Sequence, residues 1–145
     1  MEDKSELWLN EAKWDLDNAK ILFKKKRYNT SIFHSQQAAE KAIKALLFSC
    51  NINGWGYVII SLLKKYKEIK NREIGSIEKE VIYLDKQYIP TRYPDALPGI
   101  EPHKYFDKEE AKTSILYTEK ILTFVEKEIQ FFKEIEEKEN DKSEK

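Results

Sequence analysis

A few polar residues of this 145-residue chain stand where apolar ones belong, and they are the first candidates for chemistry. On a helical wheel Asp15 falls between Trp8, Ala12, Ala19 and Leu22, an expensive place for a lone carboxylate. Gln36 and Glu40 fall between Phe33, Ile43 and Leu47, with Gln37 and Lys44 at one margin. Two neighbouring segments therefore direct polar groups inward, and buried polar groups need partners. Arg92 is the natural countercharge, because its planar five-donor guanidinium suits one or two carboxylates and it lies just after Pro90, where the chain must cross the fold. The expectation is a buried network in which Arg92 ties residues 88–106 to Asp15 and Glu40, with Tyr93 and Asp95 completing the candidate set. A structural role for that network is preferred to a catalytic one, since buried ion pairs commonly fix register.

The segment 88–106, "YIPTRYPDALPGIEPHKYF", also concentrates aromatic residues around this arginine: Tyr88, Tyr93, Tyr105 and Phe106. Such a set can clamp a base or nucleotide, and it can equally pack an apolar groove. Other chemistry finds little support. His34 and His103 lack the spacing a metal site requires, no glycine-rich phosphate loop is present, and no cofactor or catalytic residue is assigned. Lys plus Arg number 26 and Asp plus Glu number 26, so the formal charge is zero and the basic footprint of a dedicated duplex binder is missing. Cys50, the single cysteine, reads as a small hydrophobe beside "ALLFS". The acidic start "MEDKSELWLN" has no apolar signal region and the longest apolar run, "YVII", is too short to span a bilayer, so a cytoplasmic protein with no membrane partner is expected.

The elements that must position these residues read as helices. Apolar spacing predicts helices over about 5–26, 30–50 and 55–69, with the break "NINGWG" before the third, and a fourth over about 74–88 that Pro90 ends. The last helix starts after Asp107, with Glu110 reaching back to cap, and runs to about Glu136. Prolines at 90, 94, 98 and 102 predict a stiff strap between the fourth and fifth helices. The fold class is thus all-α: an up-and-down bundle of about five helices in a single domain over 1–136, followed by a disordered charged tail over 137–145. The apolar arc of the last helix is about twice the width one seam needs. Its surplus face calls for cover by the strap or by a second copy, and a homodimer is expected.

The ordered set Trp8, Ala12, Asp15, Leu16 and Ala19, then "QQAAEKAIKALL" (Gln36 to Leu47), then "YIPTRYPD" (Tyr88 to Asp95), resembles the HEPN family, named for higher eukaryote and prokaryote nucleotide binding. The resemblance covers about residues 5–132. It implies an up-and-down helical bundle, a tendency to dimerise and frequent pairing with a small nucleotidyltransferase protein. Many members are metal-independent ribonucleases that use an arginine followed four to six residues later by a histidine. Here ten residues separate Arg92 from His103, so the usual nuclease spacing is absent. The leading expectation is a dimeric binding module for a nucleotide, an RNA end or a nucleotidyltransferase partner, as in toxin–antitoxin pairs. The alternatives are a ribonuclease toxin using Arg92 and His103, and a purely structural dimer.

Overall fold

The computed structural model describes residues 3–143, which form six α-helices and no strand. Helix α1 spans Lys4–Lys24 and α2 spans Tyr28–Ser49. Asp3 caps α1 by accepting from the Ser5 amide at 2.9 Å. Lys26, with φ of 60°, closes α1 in a left-handed turn while the Arg27 amide donates back to the Leu22 carbonyl. The short connection makes α1 and α2 antiparallel. Ala12 and Ala19 on α1 meet a helix that buries Ala38, Ala42 and Ala45, and small residues let the two backbones approach closely. The Ser31 hydroxyl donates across this seam to the Ala19 carbonyl at 2.7 Å.

Helix α3, Ile59–Lys70, begins four residues later than its apolar spacing predicts. Val58 at its N-cap has no side-chain acceptor. The cap comes instead from Asp85, the last residue of α4 (Glu78–Asp85), whose two carboxylate oxygens accept from the amides of Ile59 and Ile60, each at 2.8 Å. Burial pushes the Asp85 carboxyl above its ordinary range, against the two amide bonds that lower it. Asn71 ends α3 in the left-handed conformation, φ 52°, which asparagine tolerates better than most residues.

Residues 86–107 depart from the expected extended strap. The chain leaves α4 through successive tight turns, then makes a 3-10 turn over Pro94–Ala96 and a short helix α5 over Pro102–Tyr105, which raises the helix number from five to six. Pro94 and Pro102 each stand in the first turn of these elements, where a missing amide donor costs nothing. The segment does strap the bundle. Thr91 is buried and its carbonyl accepts from Asn29 of α2, while Phe106 packs with Ile32 and Ala111.

Helix α6, Lys108–Ser143, starts with the expected reciprocal cap: the Glu110 amide donates to Asp107 at 2.9 Å and the Asp107 amide donates to Glu110 at 3.2 Å. It continues helical past Glu136 to Ser143, and residues 144 and 145 of the chain lie outside the described residues. Part of its surplus apolar face is covered within the chain, while Phe131 and Ile135 stay 36% and 38% exposed. Tyr83 of α4 packs edge-on against Tyr117 at 5.2 Å, and Arg72 stacks on Phe131 with its guanidinium carbon 3.8 Å from the ring centroid. The core, with Ile43, Leu46, Leu63, Leu84, Ile121 and Val125 wholly buried, lies between α2, α3, α4 and α6. Among the described residues no helix is long and apolar enough to cross a membrane.

Candidate functional site

One stripe of α2 carries the half-buried Phe33, Gln37, Lys41 and Phe48 and the buried Lys44. These residues recur at three- and four-residue spacing, so they line up along the helix. Helix α1 borders this stripe on one side. Residues 53–57 and 85–93 border it on the other.

At the N-terminal end of the stripe stands Arg92. Its guanidinium carbon lies 4.0 Å from the Tyr88 ring centroid, 4.8 Å from Phe33 and 5.3 Å from Tyr93, and its Nε donates to the Tyr88 carbonyl at 3.2 Å. No carboxylate pairs with it among the described residues, in contrast to the half-buried Lys41 and Arg72. The expected tie from Arg92 to Asp15 and Glu40 is therefore not made. The physical reason is that each carboxylate has a closer cation on α2. Asp15 accepts from Lys41 Nζ at 2.6 Å and meets His34 Nδ1 at 3.2 Å, and Glu40 pairs with Lys44 at 3.3 Å, one helical turn away.

These pairs set the local electrostatics. Burial alone would raise the Asp15 carboxyl, but hydrogen bonds from His34 and Lys41 outweigh it and hold the group below its ordinary range. Glu40 goes the other way: burial pushes it up more than Lys44 and Lys41 pull it down, and nearby Asp85 adds to the rise. The Gln37 side-chain amide donates to the Gln36 side-chain oxygen Oε1 at 2.6 Å, leaving Nε2 of the fully buried Gln36 and one oxygen of Glu40 without a partner among the described residues. Tyr93 shares the Arg92 cluster, whereas Asp95 stands exposed on the 3-10 turn. His103 lies exposed on α5 and no hydrogen bond links it to Arg92.

At the C-terminal end of the stripe, Lys44 Nζ sits 5.5 Å from the centroids of both Trp8 and Tyr57, and Lys4 Nζ lies 4.2 Å from Phe48. With Trp55 these residues line an open cleft of about 290 Å³. The face thus offers two cation–aromatic clusters joined by a polar floor. Such clusters can hold phosphates and stack bases.

The sequence matches the HEPN domain family model over residues 5–129. The chain belongs to the HEPN domain family. It is 27% identical over 129 residues to the toxin candidate MJ1304 of Methanocaldococcus jannaschii, covering 83% of this chain and 85% of that protein. Among solved structures it is similar to TT1696 from Thermus thermophilus, with a TM-score of 0.83 and 33% identity over 88% of this chain and 99% of that one. It is also similar to ST0689, described as an archaeal HEPN homologue, with a TM-score of 0.74 and 33% identity over 89% and 99% of the two chains. A HEPN domain protein of Thermotoga maritima, tm0613, gives 0.65 and 33% over 83% and 94%.

This HEPN domain holds a second buried polar group that sequence reasoning missed. Glu128 of α6 accepts from Tyr66 at 2.7 Å and from Arg72 through both oxygens, at 2.9 and 2.8 Å. The Arg72 bonds depress the Glu128 carboxyl below its ordinary range, and burial with the adjoining carboxylate pushes the Tyr66 hydroxyl well up. Glu128 lies next to the buried Ile129 on an apolar face, which was the available signal; Arg72 follows a helix end and carries none. This cluster lies on the α3–α6 side and braces the fold.

Proposed function

We propose that this HEPN protein is a non-catalytic binding module of a toxin–antitoxin-like pair that engages a nucleotide or the end of an RNA along the Phe33–Phe48 stripe of α2. The observation that carries this reading is Arg92: a guanidinium oriented by three rings and a backbone bond, with its terminal amino groups free of any carboxylate. Such a group favours a phosphate, which a guanidinium binds through paired hydrogen bonds. The ten residues between Arg92 and His103, in place of the four to six of the nuclease pattern, support binding without cleavage. Titrating a short fluorescently labelled single-stranded RNA by anisotropy tests the reading. Saturable binding that weakens as salt rises is the expected result. No binding at low salt and millimolar RNA would overturn it.

The partner in this reading is a small nucleotidyltransferase-type protein, supported by the family resemblance and by the toxin designation of MJ1304. In this reading the homodimer forms through α1. Leu7, Trp14 and Ile21 are 47%, 63% and 58% exposed and recur every seven residues, so they form one outward stripe. Antiparallel pairing of two copies centred on Trp14 sets Leu7 against Ile21 and brings the N-cap Asp3 and Glu6 of the first turn near the partner's Lys24 and Lys25. Light scattering is expected to give a dimer for the wild type and a monomer for Trp14→Glu; a monomeric wild type at micromolar concentration contradicts this assignment.

A further inference from the structure

The loop over residues 53–57 holds two large aromatic side chains in water, Trp55 at 78% and Tyr57 at 61% exposure. They do not belong to a loose loop. The Trp55 amide donates to the Asn53 side chain at 2.9 Å, and Lys65 of α3 donates to the Asn53 carbonyl at 2.7 Å. Gly54 presses its backbone on Phe48 of α2 so closely that a Cβ there would come within 3.0 Å of the ring. Gly56, at φ 131°, takes a conformation that residues with side chains rarely adopt. Two hydrogen bonds and two glycines thus fix a loop whose rings gain no burial from it. Rings braced in solvent above a cleft lined by Lys4 and by Lys44, which is paired with Glu40 at 3.3 Å, are suited to stack a flat ligand carrying a phosphate near Lys4.

We propose that this loop cleft is a second, base-stacking subsite on the α2 face, so that the ligand is a single strand of several nucleotides rather than a mononucleotide. The proposal rests on the binding function assigned above to Arg92. Phe33, which carries the Arg92 cluster, and Lys44, which lies in the cleft, are eleven residues apart on α2, a rise of roughly 16 Å. That is farther than one nucleotide reaches. A single strand can present its bases to aromatic rings, whereas a duplex keeps them stacked on one another, and the zero formal charge gives a duplex little to hold.

The test is an affinity series in adenylate length, from the monophosphate to oligomers of about eight nucleotides, read by tryptophan fluorescence in a Trp14→Phe background that leaves Trp8 and Trp55 as emitters. Affinity is expected to rise at least tenfold by about four nucleotides, with quenching that appears only for the longer ligands. Trp55→Ala should flatten the series, and the exposure of that ring makes a folding defect from this change easy to exclude by circular dichroism. A monophosphate that binds as tightly as the oligomers overturns the second subsite while leaving the Arg92 reading intact. A length gain that survives in Trp55→Ala also overturns it. Failure of every ligand to bind overturns both readings.

Discussion

Replacing Glu128 by alanine is expected to destabilise the fold by about 3–5 kcal/mol, the range found when one partner of a buried, hydrogen-bonded charge pair is removed. Glu128 is 8% exposed and serves three donors at once, the Tyr66 hydroxyl and two nitrogens of Arg72. Its loss leaves a wholly buried phenol without an acceptor and a guanidinium against Phe131 and Phe132 without a counterion. Urea unfolding at neutral pH measures the effect, and a loss below about 1 kcal/mol would contradict the assigned role. The same residue shapes the acid response. A carboxyl held below its unfolded value contributes stability that is present above the ordinary range, near pH 4, and is lost as pH falls through the depressed native value. Asp15 acts with the same sign, whereas Glu40 and Asp85, both raised by burial, are relieved by protonation and act with the opposite one. Between pH 4 and lower values the wild type should therefore lose stability more steeply than Glu128→Ala.

Arg92→Ala is expected to leave the fold nearly as stable as the wild type and to weaken RNA binding at least tenfold. The stability side follows from the missing ion pair. What the substitution removes is stacking on Tyr88, Phe33 and Tyr93 and one bond to a carbonyl, on the order of 1 kcal/mol for a half-exposed cation. The binding side follows from hydrogen bonds to a charged phosphate, about 1.5–3 kcal/mol each. Arg92→Lys should fall between, because it keeps the charge and loses the planar fork. Melting curves beside anisotropy titrations separate the two effects. A mutant that unfolds readily would restore the buried network expected from the sequence, and a stable mutant with undiminished affinity would remove Arg92 from the site.

The helical class, the break at "NINGWG", the Asp107–Glu110 cap and the family are legible in the sequence because each rests on local spacing or a short motif. What is not legible depends on contacts between distant residues. The start of α3 is fixed by Asp85, which lies 26 residues beyond Ile59. The inward-facing Asp15 and Glu40 need cations, but periodicity does not say which, and Lys41 and Lys44 on α2 are nearer than Arg92. The apolar arc on α6 is as wide as its spacing indicates, and part of its cover comes from Tyr83 and from the flat face of Arg72, an arginine whose stacking no wheel shows. On the wheel Phe33 looks like core and Lys44 like a margin; the aromatic rings around Arg92 and Lys44 emerge once the strap and the 53–57 loop are placed beside α2.

The central claim is that the Phe33–Phe48 stripe of α2 binds a single-stranded RNA, and amide and indole chemical-shift mapping of the wild-type protein during titration with a short RNA tests it most directly. Shifts concentrated on residues 33–48 of α2, on 88–93 around Arg92 and on the Trp55 indole are the predicted result. Shifts confined to the α3–α6 side around Arg72 and Glu128, or no shifts at saturating RNA, would contradict it.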